Sequence, residues 1–212
     1  MFNMSNKRFI GRSILAVFFS LIGLASCGEK IPTNEIHYTT VDNRVLPLEK
    51  DIEDGCPFLS NSYNPEKNVY ILKFDKDVTE IGDYTFDGCS SLTGISIPSS
   101  VTRIGEYAFR GCSSLTNITI PSSVTEIGKG AFAGCSSLTS ISIPSSVTRI
   151  GEDAFYGCSS LTNISIPSSV TEIRDYAFAG CSSLMEVRIP KGCQVSYDAF
   201  TDCPEGLVIT RY

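Results

Sequence analysis

The chain has 212 residues, a formal net charge of −6 and 19% charged residues. An acidic balance with no basic stripe excludes a protein built to grip nucleic-acid phosphates, which need clustered Lys or Arg. Length alone allows one or two domains.

The first 26 residues differ in kind from the rest. Lys7, Arg8 and Arg12 form a basic start, Ile14 to Leu24 is apolar, and Leu24-Ala25-Ser26-Cys27 follows. This pattern reads as a secretory signal. An apolar run of about a dozen residues is too short to span a bilayer, which takes roughly 20. The ending resembles a bacterial lipobox, which implies cleavage before Cys27 and a lipid on its sulfur. An ordinary signal peptide with an incidental cysteine is the plainer alternative. Removing the three basic residues with the signal shifts the net charge from −6 to −9.

Residues 27–68 are expected to hold the anchor, a linker and an N-terminal cap. Ile36 to Val41 and Arg44 to Leu46 flank Asp42-Asn43, which predicts a hairpin with a two-residue turn. His37, the one histidine, falls on it as an exposed residue. Val69 to Phe74 fits a strand of the repeat that follows, with Leu72 and Phe74 at the places of Ile95 and Ile97, so an array over residues 69–212 is predicted.

That array has a period of 23. Cysteine marks it at Cys89, Cys112, Cys135, Cys158 and Cys181, and phenylalanine at Phe86, Phe109, Phe132, Phe155 and Phe178. A fixed period in this range is the mark of stacked supersecondary units. Leu115, Ile118 and Ile120 have the L-x-x-I-x-I spacing of a strand with alternate side chains pointing inward. Ala108-Phe109 is predicted to lie in a helix of one or two turns that Gly111 ends in the left-handed conformation. Ser99-Ser100 and their copies follow a proline and read as turn residues. Position 80 and its successors alternate in sign as Glu80, Arg103, Glu126, Arg149 and Glu172, a predicted ladder of opposite charges. Tyr84, Tyr107 and Tyr176 recur on the returning side. The period fails by one near the end, where Phe178 to Phe200 is 22 residues; Arg174 replaces the glycine of Gly82, Gly105, Gly128 and Gly151, and Leu207 to Tyr212 reads as a last, irregular strand.

Nine cysteines in an exported chain suggest disulfides. Parallel side chains one strand spacing apart rarely reach the required torsion, so the 23-residue column reads as free buried thiols. Cys56, Cys193 and Cys203 lie outside the regular column, and a Cys193–Cys203 bridge stays open. No closely spaced Cys or His pair suggests zinc. His37 alone gives no triad, and no glycine-rich phosphate loop occurs, so neither an enzyme nor a cofactor is expected. The sequons at Asn117 and Asn163 read as accidental.

The run LTGISIPSSVTRIGEYAFRGCSS, with Ile-Gly-x-x-Ala-Phe-x-Gly-Cys in register three times, resembles the BspA-like leucine-rich repeat proteins of bacterial surfaces. The resemblance implies an α/β-type right-handed leucine-rich repeat solenoid, rich in β-structure, with short helical returns, used for adhesion or protein binding. The face left for function is the strand face, whose outward positions form two columns: Ile71, Gly94, Asn117, Ser140, Asn163, Glu186, and Lys73, Ser96, Thr119, Ser142, Ser165, Arg188. Within them Asn117, Thr119, Ser140, Ser142, Asn163, Ser165, Glu186 and Arg188 are the candidate protein-binding residues. The expected partner is an extracellular or envelope protein, not a small molecule. The expected location is the bacterial outer membrane or cell surface, through a lipid on Cys27. A scaffolding envelope lipoprotein without an adhesive role is the alternative.

Overall fold

In the computed structural model, residues 31–46, 48 and 58–212 are described. The signal segment, Cys27 and Cys56 lie outside them. Three strands precede the array: β1 (Glu35–Thr40), β2 (Phe58–Asn64) and β3 (Val69–Phe74). Each turn of the array then adds one two-residue strand and, on most turns, one longer strand. The short series is β4 (Glu80–Ile81), β6 (Arg103–Ile104), β8 (Glu126–Ile127), β9 (Arg149–Ile150), β11 (Glu172–Ile173) and β13 (Gln194–Val195). The longer series is β5 (Leu92–Ser96), β7 (Asn117–Thr119), β10 (Asn163–Ser165), β12 (Glu186–Ile189) and β14 (Val208–Arg211), with a single bridge from Thr119 to Ser142 in the turn between β7 and β10.

The 23-residue period becomes parallel pairing without slip. Arg103 stands beside Glu126 and Ile104 beside Ile127; Gly94 stands beside Asn117 and Ile95 beside Ile118. The lost residue near the end is absorbed between Pro190 and Gln194, because Glu172 pairs with Gln194 and Glu186 with Val208, each 22 residues on. The last strand therefore stays in register.

The returns are not helical. No helix occurs among the described residues; the return is a run of turns. Its amide groups explain why. The N–H of Phe109 donates to the carbonyl of Ala131 in the next turn at 2.8 Å, as do Tyr107 to Lys129 and Gly111 to Ala133, while the alternate amides of Arg110 and Cys112 donate three residues back to Tyr107 and Phe109. Half of the donors that an α-helix would use internally thus form a third ladder between turns. Backbone dihedrals enforce it, since Gly111 takes φ +70° as expected but Tyr107, four residues earlier, is also left-handed at φ +53°, which a helix does not admit.

Inside the three ladders the side chains stack as columns. Phe86, Phe109, Phe132, Phe155, Phe178 and Phe200 have centroids 5.1–5.4 Å apart and planes within 7°. Val101, Ile104, Leu115 and their copies fill the remainder, and a fully buried residue of this kind stabilises by roughly 1.5–3 kcal/mol. No turn could bury its face alone, so stability belongs to the stack.

Among the described residues the thiols are free, including Cys193 and Cys203. Cys135 Sγ donates to the carbonyl of Phe109 in the preceding turn at 3.2 Å, and Cys112, Cys158, Cys181 and Cys203 repeat the contact. Cysteine suits this position because it is small, nearly apolar and still carries a donor. Burial pushes these thiols up, Cys181 to about 12. Serine provides a second stitch: Ser123 and Ser146 donate to Val101 and Val124 of the preceding turn at 2.5 Å.

The N-terminal hairpin does not form as predicted. Residues 44–46 are not a strand; β1 pairs antiparallel with β3 on one side and with β5 on the other, and the hairpin is β2–β3 instead. β1 therefore sits between Val69–Phe74 and the first longer strand of the array. His37 is not exposed but only 5% accessible, with Nε2 3.0 Å from Glu35 Oε2. The sequence concealed this because the partners of β1 lie more than 30 residues downstream.

Candidate protein-binding face

The strand face is built by the alternation of β5, β7, β10, β12 and β14. Ile118, Ile164 and Val187 point inward and are buried, which turns Asn117, Thr119, Asn163, Ser165, Glu186 and Arg188 outward. Ser140 and Ser142 flank buried Ile141 in the same way. All eight predicted side chains are exposed, and they stand in two rows at the strand spacing of ~4.8 Å. The two outermost column members are displaced. Ile71 and Lys73 lie on β3, one strand beyond β1, so Gly94 and Ser96 have Thr39 and His37 as neighbours instead.

Local bonds set the character of this face. Asn117 and Asn163 each lean on the preceding threonine, Nδ2 to Thr116 Oγ1 at 3.3 Å and to Thr162 Oγ1 at 3.2 Å. At the C-terminal end the chemistry changes: Met185 is 64% exposed, and the Arg188 guanidinium lies 5.5 Å over the ring of Tyr212. The Tyr212 hydroxyl in turn donates to the carbonyl of Ile166 at 2.7 Å. A cation over an aromatic ring and an exposed thioether thus occupy the strand that carries Glu186 and its borders.

The turn face is organised differently. Tyr84 and Tyr107 stack at 5.3 Å, Arg110 lies over both rings, and its guanidinium grips Asp87 through two bonds of 2.6 and 2.8 Å. Lys129 pairs with Glu152 at 2.9 Å. Gly130 interrupts the tyrosine column because a Cβ there would stand 2.3 Å from the Tyr107 ring. Asp153 is raised by burial and by neighbouring Glu152. The predicted charge ladder is realised at Arg103, which bonds Glu80 at 3.3 Å and Asp83 at 2.8 Å. Glu126, Arg149 and Glu172 are strand neighbours with no ion pair between them among the described residues.

Two hollows escaped sequence reading. One, of about 380 Å³, is polar and forms where Arg174 takes the glycine position, beside Glu152, Glu172, Asp175 and Ser196. The other, of about 330 Å³, opens between the β1 end and the β2–β3 hairpin. Only Arg174 gave a signal in the sequence, as the break in a glycine column. Among the described residues no group of three His, Cys, Asp or Glu is placed to hold a metal, and no helix is long and apolar enough to cross a membrane.

Comparison with known proteins agrees with this geometry. The pattern described as "BspA type Leucine rich repeat region" matches in six copies over residues 79–205, more than half of the chain. Among solved structures, a leucine-rich cell surface protein of Faecalibacterium prausnitzii A2-165 is 30% identical over 76% of this chain, with a TM-score of 0.55. A leucine-rich repeat protein of Bacteroides ovatus is 33% identical over 74%, also at 0.55, and that of T. pallidum 29% identical over 72%, at 0.54. The chain spans 38%, 44% and 83% of those three proteins respectively. No curated protein matches it.

Proposed function

The chain belongs to the BspA-type leucine-rich repeat family, and from that premise we propose that it is a lipid-anchored envelope protein that binds another protein along its strand face, in adhesion to a host or neighbouring cell. The family is one of binding and scaffolding repeats, and the Faecalibacterium relative is a cell surface protein. The observation that carries the reading is the double row of eight exposed side chains from Asn117 to Arg188, regular in spacing and not tied up in ion pairs among the described residues. A flat, wide surface suits a protein better than a small molecule, because a standard interface takes about 800 Å² per partner. Recognition is strongest toward β12 and β14, where Glu186, Arg188 and Met185 supply charge and a deformable apolar contact. The sequence supports the anchor, with small residues before Cys27 and the polar run Gly28-Glu29-Lys30 after it. Many anchored copies on one cell would add avidity to weak single contacts.

The test is capture by the purified chain from extracellular-matrix proteins and, separately, from envelope extracts. Wild type is compared with Asn117→Lys/Asn163→Lys and with Glu186→Ala/Arg188→Ala. Adhesion predicts a matrix ligand whose affinity drops in the second pair more than in the first. Capture from envelope extracts alone favours the scaffolding role, and a ligand insensitive to both pairs removes the strand face as the site. Radiolabelled palmitate incorporation lost in Cys27→Ser checks the anchor.

A further inference from the structure

We propose that the hollow of about 330 Å³ at the N-terminal end of the sheet is a binding site for a neutral saccharide unit. It is walled by Tyr63 and Tyr70 and rimmed by Thr39, Thr93, Asn43 and Asn68, and none of the described residues that line it is charged. In an acidic chain whose turn face is laced with ion pairs, an uncharged hollow stands apart. Its size falls in the lower part of the range for ligand sites.

Each wall is fixed by a specific bond. Tyr70 stacks on buried Tyr38 at 5.2 Å and donates its hydroxyl to the carbonyl of Asn43, so its ring cannot swing. Tyr63 leans on Tyr70 at 5.2 Å with a tilt of 52°, is 48% exposed, and donates to Asn68 Oδ1 at 2.7 Å. The aromatic face offered to solvent is therefore held in place. Asn43 and Asn68 both adopt left-handed backbones, φ 52° and 53°, which pin the two loops that carry them. Thr39 and Thr93 share a hydroxyl bond of 2.7 Å across the β1–β5 pairing, leaving lone pairs on the outer side.

This inventory selects a ligand class. An anion or a cation would find no opposite charge on the lining. A purely apolar ligand would leave the side-chain amides of Asn43 and Asn68 Nδ2 desolvated and unpaired, since among the described residues neither amide has a protein partner. A pyranose presents both an apolar C–H face, which an aromatic ring can cover, and a girdle of hydroxyls, which planar amides and threonines can bond. The site is separate from the strand-face rows and does not depend on them.

The experiment is titration calorimetry of the full chain with maltohexaose, laminarihexaose and chitohexaose. At least one should bind, and Tyr63→Ala should weaken it on the order of tenfold, the loss of one stacked contact worth about 1.4 kcal/mol. Tyr63→Phe keeps the ring and should retain most of the affinity, whereas Asn43→Gly keeps the left-handed backbone and should lose part of it. Melting temperatures must stay near wild type for these comparisons. No heat with any of the three sugars, equal affinity in Tyr63→Ala, or loss of binding in Asn117→Lys/Asn163→Lys would each overturn the proposal.

Discussion

The turn face and the strand face are built from the same 23 residues but use their polar groups in opposite ways. On the turn face, Arg110 closes on Asp87 and on two stacked tyrosines, and Lys129 closes on Glu152, so charges are spent between neighbouring turns. On the strand face, Asn117 and Asn163 make one short-range bond each and the serines between them stay exposed. One side ties neighbouring turns together through its charges, and the other leaves its polar side chains exposed. Between them runs the aromatic column, on which both faces depend.

Cutting that column has the largest expected effect. Phe132 is fully buried between Phe109 and Phe155, and Phe→Ala in a packed core costs about 3–5 kcal/mol. Denaturant unfolding of Phe132→Ala should therefore show the middle turns melting ahead of the ends, with both faces lost there. A single transition at the wild-type midpoint would remove the column from its central role.

A smaller effect is expected where backbones approach. A Cβ on Gly128 would stand 2.7 Å from the Gly105 carbonyl carbon and 2.9 Å from the Glu106 amide, and neither can yield without shifting the turn ladder. Gly128→Ala should cost about 1–3 kcal/mol, as overpacking does. By contrast Gly192 has open space around its Cβ position, so Gly192→Ala is the matched control. Equal melting temperatures for the two variants would mean that the turns are not in close contact.

Alkaline pH acts on the buried thiols. Burial raises the folded thiols, Cys89 to about 11 and Cys181 to about 12, with Cys112, Cys135 and Cys158 also well above the usual range. In the unfolded chain a thiol loses its proton near pH ~8.5. The unfolded state then binds fewer protons than the folded one, so stability is full below that pH and falls as pH rises toward 11–12. Denaturation midpoints measured from pH 7 to 10.5 should decline, and Cys135→Ala should flatten the decline. Iodoacetamide at pH 8 should leave the column unmodified until the chain unfolds.

Much of this stack was legible in the sequence. A period of 23 with Cys and Phe in step fixed the register of the columns, and L-x-x-I-x-I told which side chains face out. The helical return was misread because Ile-Gly-x-x-Ala-Phe-x-Gly-Cys places apolar residues at a spacing that a short helix also shows. Nothing in it reveals that the Phe109 amide bonds to the next turn, or that tyrosine occupies a left-handed position. The hollow beside Tyr63 was hidden for another reason: Tyr63, Asn43 and Thr93 come from three segments brought together only by the insertion of β1 between β3 and β5.

The smallest expected effect carries the most direct test. If the strand face is free for recognition, changing it leaves the fold alone. The variant Asn117→Ser/Thr119→Ser/Asn163→Ser/Glu186→Gln alters four exposed positions, each expected to shift stability by no more than about 0.5 kcal/mol. Its thermal midpoint should lie within roughly 4–8 °C of wild type even if every shift has the same sign. A loss comparable to that of Phe132→Ala would contradict the account, because the outward rows would then be holding the stack together rather than standing open to a partner.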